Sequence, residues 1–332
     1  MTSAAEQAYA PAARQALVAF GVVAAELRFV NLSENVTFKA IDAKDGAPLV
    51  LRLHRPWYHD IEALRSERLW THALVRAGVA APDPLMTLDG DDFAQVEVPA
   101  TGERRWAGLA RWVDGELMAD VVARETDTTV NARHFARLGT IMAAMHDHAV
   151  AWIPPPGFKR HALDADGLLG PAPFWGPFWD HPIFSRAERD LLLATRDSLH
   201  AALVRYGRQQ RTFSLIHADL HPRNVLISGM HAAVIDFDDT GFGWHQYDLA
   251  VALVGYQRSA HFVAFRDACI AGYRSVRAIS EQDLALLPMF LLIRDMVQIG
   301  WYHQRPELPP SPKLPQLKEH VCARAAAFVP VC

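Results

Sequence analysis

Between about Leu27 and Leu53, apolar and mostly β-forming residues (Phe29, Val36, Phe38, Ile41, Val50, Leu51 and Leu53) surround a turn at Lys44-Asp45-Gly46, which predicts strands. The period then changes. From Asp60 to Ala77, Ala63, Glu67, Trp70 and Leu74 fall on one helical face, and Arg65, Arg68, His72 and Arg76 on the other. Glu67 stands among the inward positions, where a carboxylate needs a partner because an unpaired buried charge is costly. Gly78 ends this helix, and Pro82 and Pro84 prevent it from resuming. Strands return over Phe93 to Val113 around a turn near Thr101-Gly102, and Asp114-Gly115 suits a passage between domains. Beyond it, Phe135, Leu138, Met142 and Met145 form a helical stripe that ends near His146. The Pro-, Trp- and Gly-rich segment from Trp152 to Pro182 reads as a long shaped loop with short helices. Helices follow over Arg186–Tyr206 and from about Gln246 onward. The expected architecture is α+β: a small lobe of strands with one main helix over 1–113, then a larger helical lobe over 114–332.

The 332 residues carry 33 Lys+Arg and 37 Asp+Glu, for a formal charge of −4, and 51% are hydrophobic, so the chain can bury real cores and is not disordered. This charge gives no basic field, which argues against nucleic acid as a main partner. Cys269, Cys322 and Cys332 form no CxxC pair, which argues against a disulfide scaffold or cysteine-ligated zinc and fits a reducing cytoplasm. No run of about 18 apolar residues is free of charge or proline. The apolar stretch from Leu284 to Ile293 contains Pro288 and runs into Arg294 and Asp295. The stretch from Ala16 to Ala25 lacks a basic leader and a small-residue cleavage site, and reads as a helix leading into a strand. The expectation is a soluble cytoplasmic protein with no membrane partner; no coiled-coil heptads or interface signature indicate an oligomeric state.

Candidate chemistry concentrates in Ser214-Leu-Ile-His217-Ala-Asp219-Leu-His221-Pro-Arg-Asn224-Val-Leu-Ile, followed by Ala233-Val-Ile-Asp236-Phe-Asp238-Asp239. Two apolar strands, Asn224–Ile227 and Ala232–Ile235, flank a short turn at Ser228-Gly229, which predicts a hairpin. Asp219 and Asn224 precede its first strand and Asp236 follows its second. An Asn and an Asp brought together at the open end can share one cation, and oxygen-only ligands suit Mg²⁺. His217 and His221 have the i, i+4 spacing of a helical zinc site, but Pro222 and the following strand argue against a helix there.

The pattern H-x-D-x-x-x-x-N followed by apolar-Ile-Asp resembles the catalytic loop and metal-binding Asp of the aminoglycoside phosphotransferase and choline kinase-like family, relatives of protein kinases. The resemblance extends over most of the chain. Ser33-Glu34-Asn35-Val36-Thr37-Phe38 is similar to that family's nucleotide-covering hairpin, Leu51-Arg52-Leu53 to its phosphate-binding strand, and Glu67 to the helical carboxylate partner. Leu138-Gly139 through His146 and Tyr247-Asp248-Leu249-Ala250 resemble segments that brace the loop.

The resemblance implies a bilobal protein-kinase-like fold using ATP and Mg²⁺. Asp219 would orient the acceptor hydroxyl and take its proton, and Asn224 and Asp236 would hold the metal. Arg52, fixed by Glu67, would grip the phosphates beneath the Ser33–Asn35 backbone, with His217 and Asp248 supporting the loop. Two features depart from protein kinases. The covering hairpin has no G-x-G-x-x-G, as in the small-molecule branch. Arg also replaces Lys at position 52, which keeps the charge with a different shape and reach.

Each residue also has a plainer reading: Arg52–Glu67 as a structural ion pair, Ser33 and Asn35 as turn residues, and His146 as a structural helix-end residue. Asp238 and Asp239 either attract a cationic acceptor or extend the metal site, or are solvated turn carboxylates. Trp175, Trp179 and Trp301 read as core before pocket. The expected activity is transfer of the ATP γ-phosphate to a hydroxyl of a small amine-bearing molecule (amino sugar, amino alcohol or hydroxy amino acid), the amine being inferred from the acidic cluster. The main alternative is a serine/threonine protein kinase, since Ser33-x-Asn35 and Arg55-Pro56 also resemble that branch. A metal-dependent phosphohydrolase built on His217, Asp219, His221 and Asp236, or a pseudokinase, stand behind it.

Overall fold

The computed structural model describes residues 4–33, 35–306 and 311–328; Glu34 and Cys332 lie outside the described residues. The chain divides into two compact units, each formed from several stretches. The first comprises the chain up to Glu116 together with Pro154–Lys159 and Leu226–Asp238. The second comprises Leu117–Ile153, Arg160–Val225 and the chain from Asp239 onward.

In the first unit, helix α1 (Ala4–Ala19) leads into β1 (Ala24–Leu32), β2 (Val36–Asp42) and β3 (Pro48–Leu53). Helix α2 (Ile61–Arg76), β4 (Pro84–Leu85), β5 (Ala94–Val98) and β6 (Glu103–Arg111) follow. The sheet runs β1-β2-β3-β6-β4, with β5 also on β6. Alternation places Leu49, Leu51 and Leu53 of β3 in the core with Phe38, beneath Ala12, Ala13, Ala16 and Leu17 of α1. Arg52 therefore stands on the opposite face, with Thr37 and Gly108 as its strand neighbours. Helix α2 starts where expected because the Asp60 carboxylate accepts the Ala63 N–H at 2.9 Å, satisfying one of the free donors of the first turn. Its inward face includes Ala63, Glu67, Trp70 and Leu74. Trp70 meets Phe237 edge to face, with centroids 6.0 Å apart, which anchors the residue following Asp236.

The unit boundary falls within β7 (Glu116–Leu117). The second unit contains α3 (Met118–Arg124), α4 (Thr128–Ala151), β8 (Ala162–Leu163), α5 (Ala165–Leu169) and α6 (Arg186–Tyr206), the last matching its predicted span. Next come β9 (Phe213–Ile216), the hairpin β10 (Val225–Ser228) and β11 (His231–Val234), which returns to the first unit, and β12 (Gly241–Trp244). The chain ends in α7 (His245–Leu253), α8 (Phe262–Arg274), α9 (Glu281–Leu284), α10 (Leu287–His303) and α11 (Leu314–Ala327). Helices α4 and α8 pack backbone to backbone. A Cβ on Gly139 would fall 2.0 Å from the Cys269 carbonyl oxygen, and one on Gly272 only 1.8 Å from that of Ala136, so only glycine fits at either crossing. The stripe expected to stop at His146 continues to Ala149, and His146 lies inside α4. Residues 281–303 are long and apolar enough in composition to cross a membrane, yet 67% of the apolar 18-residue stretch within them is buried inside the fold. Arg294 and Asp295 sit within α10 with ionic partners, as a core helix requires of its charges.

Candidate active site

In the second unit, β9 delivers the chain to His217-Ala218-Asp219. Ala218 has φ +67°, a left-handed conformation that L-residues avoid. It is held there by Asp248 of α7, whose Oδ1 accepts the Ala218 N–H at 2.7 Å and whose Oδ2 accepts the His217 N–H at 3.0 Å. His146 Nε2 lies 3.0 Å from the same Oδ2, and its Nδ1 lies 2.9 Å from the Tyr273 hydroxyl. Burial keeps His146 neutral, with its pKa lowered to about 3, so Nε2–H donates to Asp248 and Nδ1 accepts from Tyr273. Burial also pushes the Asp248 carboxyl up to about 6, against His217 and the two backbone N–H groups that favour its charge.

The turn presents Asp219, and a one-turn 3-10 helix, Pro222–Asn224, brings Asn224 back to it. Asn224 Nδ2 donates to Asp219 Oδ2 at 3.0 Å and to its carbonyl oxygen at 2.9 Å. The amide nitrogen of Asn224, and not its oxygen, thereby faces Asp219. Arg294 of α10 donates Nη2–H to Asp219 Oδ1 at 2.6 Å, and His221 Nε2 lies 3.3 Å from Oδ2. Burial alone would raise the Asp219 carboxyl; His221, Arg294 and His217 outweigh it and hold the group well below the usual carboxylate range. Asp219 is therefore ionised.

In the first unit, Arg52 Nη2 donates to Asp236 Oδ1 at 2.7 Å and lies 3.8 Å from Asp238, while Nη1 is 3.7 Å from Glu67. Burial would lower the Arg52 pKa, but Asp236, Asp238 and Glu67 overcome it and raise it. The guanidinium thus carries three carboxylates, more than one ammonium could reach in this geometry. Asp236 is itself left-handed at φ +67°, and its side chain is partly open to solvent. Of the three non-glycine residues with positive φ among the described residues, Ala218 and Asp236 fall in the two expected catalytic segments and Trp57 lies outside them.

Ser33 and Asn35 meet different surroundings. Ser33 is exposed, with its N–H on the Asn35 carbonyl oxygen at 3.3 Å. Asn35 is buried; its Nδ2 donates to Asp238 Oδ2 at 3.2 Å and its Oδ1 accepts the Arg55 N–H at 2.8 Å. The sequence leaves Asp238 open between attracting a cationic acceptor, extending the metal site and standing as a solvated turn carboxylate. Its carboxylate is instead buried in the small unit against Asn35, Arg52 and His54, and its carbonyl oxygen lies 2.7 Å from His59 Nε2. Burial would raise that carboxyl, and His54, Arg52 and His59 draw it far down, so it is a structural anion. Asp239, half-buried in the second unit, raises the pKa of Arg294, as a nearby anion does.

Arg294 is the site residue that sequence reasoning missed; it figured there only as the end of an apolar run. The available signal was an Arg-Asp pair inside an otherwise apolar helix, where a charge needs a specific partner. Metal ligation by histidine finds no support: His217 Nδ1 accepts the Asp219 N–H at 3.3 Å, and His221 Nδ1 accepts that of Arg223 at 3.1 Å. No group of three or more potential His, Cys, Asp or Glu ligands occurs among the described residues. Asn224 in the second unit and Asp236 in the first each carry an oxygen of the kind a hard cation such as Mg²⁺ takes.

A β-rich unit with a buttressed Arg on its third strand, and a helical unit with a braced H-x-D loop, are the parts of a kinase-like fold. The structure of a microcompartment-associated aminopropanol kinase superposes with a TM-score of 0.79 at 31% identity, covering 96% of this chain and 94% of that one. The amicoumacin kinase hAmiN, in complex with AMP-PNP, Ca²⁺ and Ami, shares the fold at 20% identity and a TM-score of 0.77, covering 98% and 94%. Amicoumacin kinase of Bacillus subtilis (strain 168) is 26% identical over 305 residues, 87% of this chain and 83% of that protein. The phosphotransferase enzyme family matches residues 26–283, and the chain belongs to it.

Proposed function

We propose that the protein is an ATP- and Mg²⁺-dependent kinase that phosphorylates a hydroxyl of a small, amine-bearing molecule. The observation that carries this reading is Asp219, ionised, fixed by Asn224 and set on a strained turn that Asp248 holds. Phosphoryl transfer asks the protein mainly for positioning and charge neutralisation. Asp219 orients the acceptor hydroxyl. As the oxygen–phosphorus bond forms, the bond from the γ-phosphorus to its bridging oxygen breaks, and ADP leaves with that electron pair. The hydroxyl proton passes to Asp219 and then to solvent. Arg52, with Glu67 behind it, binds the phosphates, and the Ser33–Asn35 backbone covers them. Asn224 and Asp236 would hold Mg²⁺, which supplies charge neutralisation at the phosphate oxygens.

The named relatives, an aminopropanol kinase and amicoumacin kinases, act on small molecules, and this favours a small acceptor over a protein substrate. The aminopropanol kinase also supports an amine on the acceptor, with Asp239 as its counter-charge. A cytoplasmic setting, where ATP is available and free Cys269 and Cys322 stay reduced, agrees with this chemistry. An ATP-consumption assay with Mg²⁺ against amino sugars, amino alcohols, hydroxy amino acids and a generic protein tests it. Acceptor-dependent turnover should fall at least about 100-fold in Asp219→Asn. Turnover equal to wild type in that variant, or labelling of protein alone, would defeat the proposal.

A further inference from the structure

Both oxygens of the proposed base are engaged: Oδ2 by Asn224 and His221, Oδ1 by Arg294. Arg294 is buried, and its guanidinium is incompletely used. Nη1 lies 3.4 Å from the Tyr247 hydroxyl, a long contact, and Nε–H is buried with no acceptor. The guanidinium carbon stands 5.7 Å from the Trp175 ring centroid, and Trp175 stacks on Tyr247 at 6.0 Å. The Trp175 Nε1–H is likewise buried with no acceptor. Two donors without acceptors thus lie on neighbouring side chains, one of them the cation that holds Asp219. Buried N–H groups of this kind call for an oxygen that the protein itself does not supply. A guanidinium charge beside N–H groups that lack acceptors favours an anionic oxygen ligand such as a carboxylate.

Given the reading of Asp219 as the acceptor-orienting base, on which this rests, we propose that Arg294 and Trp175 form a seat for a carboxylate carried by the acceptor. The acceptor is then a small hydroxy amino acid: hydroxyl at Asp219, carboxylate at Arg294 and Trp175, ammonium toward Asp239. The arrangement also couples binding to chemistry. A carboxylate that engages Arg294 draws part of the guanidinium off Asp219 Oδ1 and leaves that oxygen to the acceptor hydroxyl. An acceptor lacking the carboxylate leaves the base clamped.

Matched pairs that differ only in the carboxylate test this: L-threonine against 1-amino-2-propanol, and L-homoserine against 3-amino-1-propanol. Calorimetric binding of each to the full chain with Mg²⁺ and a non-hydrolysable ATP analogue gives a ratio of dissociation constants. At least one carboxylated acceptor should bind tenfold or more tightly than its partner. That ratio should collapse toward one in Arg294→Gln and fall about threefold in Trp175→Phe, which keeps the ring and removes the donor. A residue that only positions Asp219 would weaken turnover of both partners equally and leave the ratio intact, and that result overturns the seat. So does tighter binding of the amino alcohol, or binding of none of the four. Turnover is scored separately. Phosphorylation of amino alcohols without carboxylate preference removes the seat and keeps the kinase. A carboxylate preference in binding with no phosphorylation of any acceptor keeps the seat and removes the kinase reading.

Discussion

Replacing Asp248 by Asn separates the geometry of the loop from the stability of the fold, because the two respond to different properties of one carboxylate. Raising its pKa from 3.8 to about 6 means that burial disfavours the ionised form by about 3 kcal/mol. With the folded pKa above the unfolded one, this group's stability contribution is full below about pH 4 and is lost as pH rises through about 6. At pH 7.5 the wild type carries that cost and Asn does not. Against this, Asn offers one oxygen where the carboxylate offered two, so an amide N–H faces the N–H of Ala218 or of His217, a mismatch of about 1–3 kcal/mol. The two effects nearly cancel in stability. They do not cancel in geometry, since the left-handed turn at Ala218 loses a restraint directly before Asp219. A displacement of about 1 Å at a reacting group costs about 100-fold. The expected outcome at pH 7.5 is a melting temperature close to wild type and a kcat lower by about 30- to 100-fold, with ATP affinity little changed. At pH 4.5 the wild type should be the more stable by about 2–3 kcal/mol. Steady-state kinetics and thermal unfolding at the two pH values provide the check. An unchanged kcat, or parallel pH dependence of stability in the two proteins, would refute the reasoning.

Ala218→Gly removes about 1–2 kcal/mol of left-handed strain and loses about 0.8 kcal/mol of buried methyl, so stability should rise by about 0.5 kcal/mol. A fall of more than about 1 kcal/mol in denaturant unfolding would contradict the strain. Arg52→Lys retains the charge but cannot reach Asp236, Glu67 and Asp238 together; KM for ATP should rise about tenfold, measured at saturating acceptor. The Cys269 thiol, pushed up to about 12 by complete burial, should resist alkylation in the native protein and react on unfolding, as peptide mass mapping would show.

Much of this arrangement was legible in the sequence because it depends on local rules. Helix α2 follows from the Asp60 cap, the spacing of its inward face and the Gly78 stop, and Glu67 was marked by being a carboxylate on that face. The H-x-D-x-x-x-x-N spacing fixed Asp219 and Asn224 within one turn, where chain geometry alone brings them together. Small errors came where local signals end. His146 was placed at a helix end because the apolar stripe weakened there, whereas α4 continues through buried Ala149. Asn224 belongs to a 3-10 turn and not to the strand, because Pro222 favours a helical first turn.

Asp238 and Arg294 were not legible for a common reason: the role of each is set by partners distant in the chain. In sequence, Asp236, Asp238 and Asp239 form one acidic run, and charge complementarity treats them alike. In the structure, a left-handed residue at Asp236 and a turn at Asp238 follow β11, and the Asp238 carboxylate meets Asn35, at the bend before β2, and Arg52 of β3, about 200 residues earlier. Three adjacent carboxylates therefore meet three environments: Asp236 partly open, Asp238 neutralised and buried, Asp239 half-buried beside the cation of α10. Arg294 is the complementary case. Within α10 it is one charge among apolar neighbours, and only the path of the chain to Asp219, 75 residues earlier, makes it the counter-ion of the base. A buried charge announces that a partner exists, and tertiary structure decides which one. Once the partner is Asp219, the donors that Arg294 and Trp175 leave unused bear on the acceptor's chemistry and not on the stability of the helix.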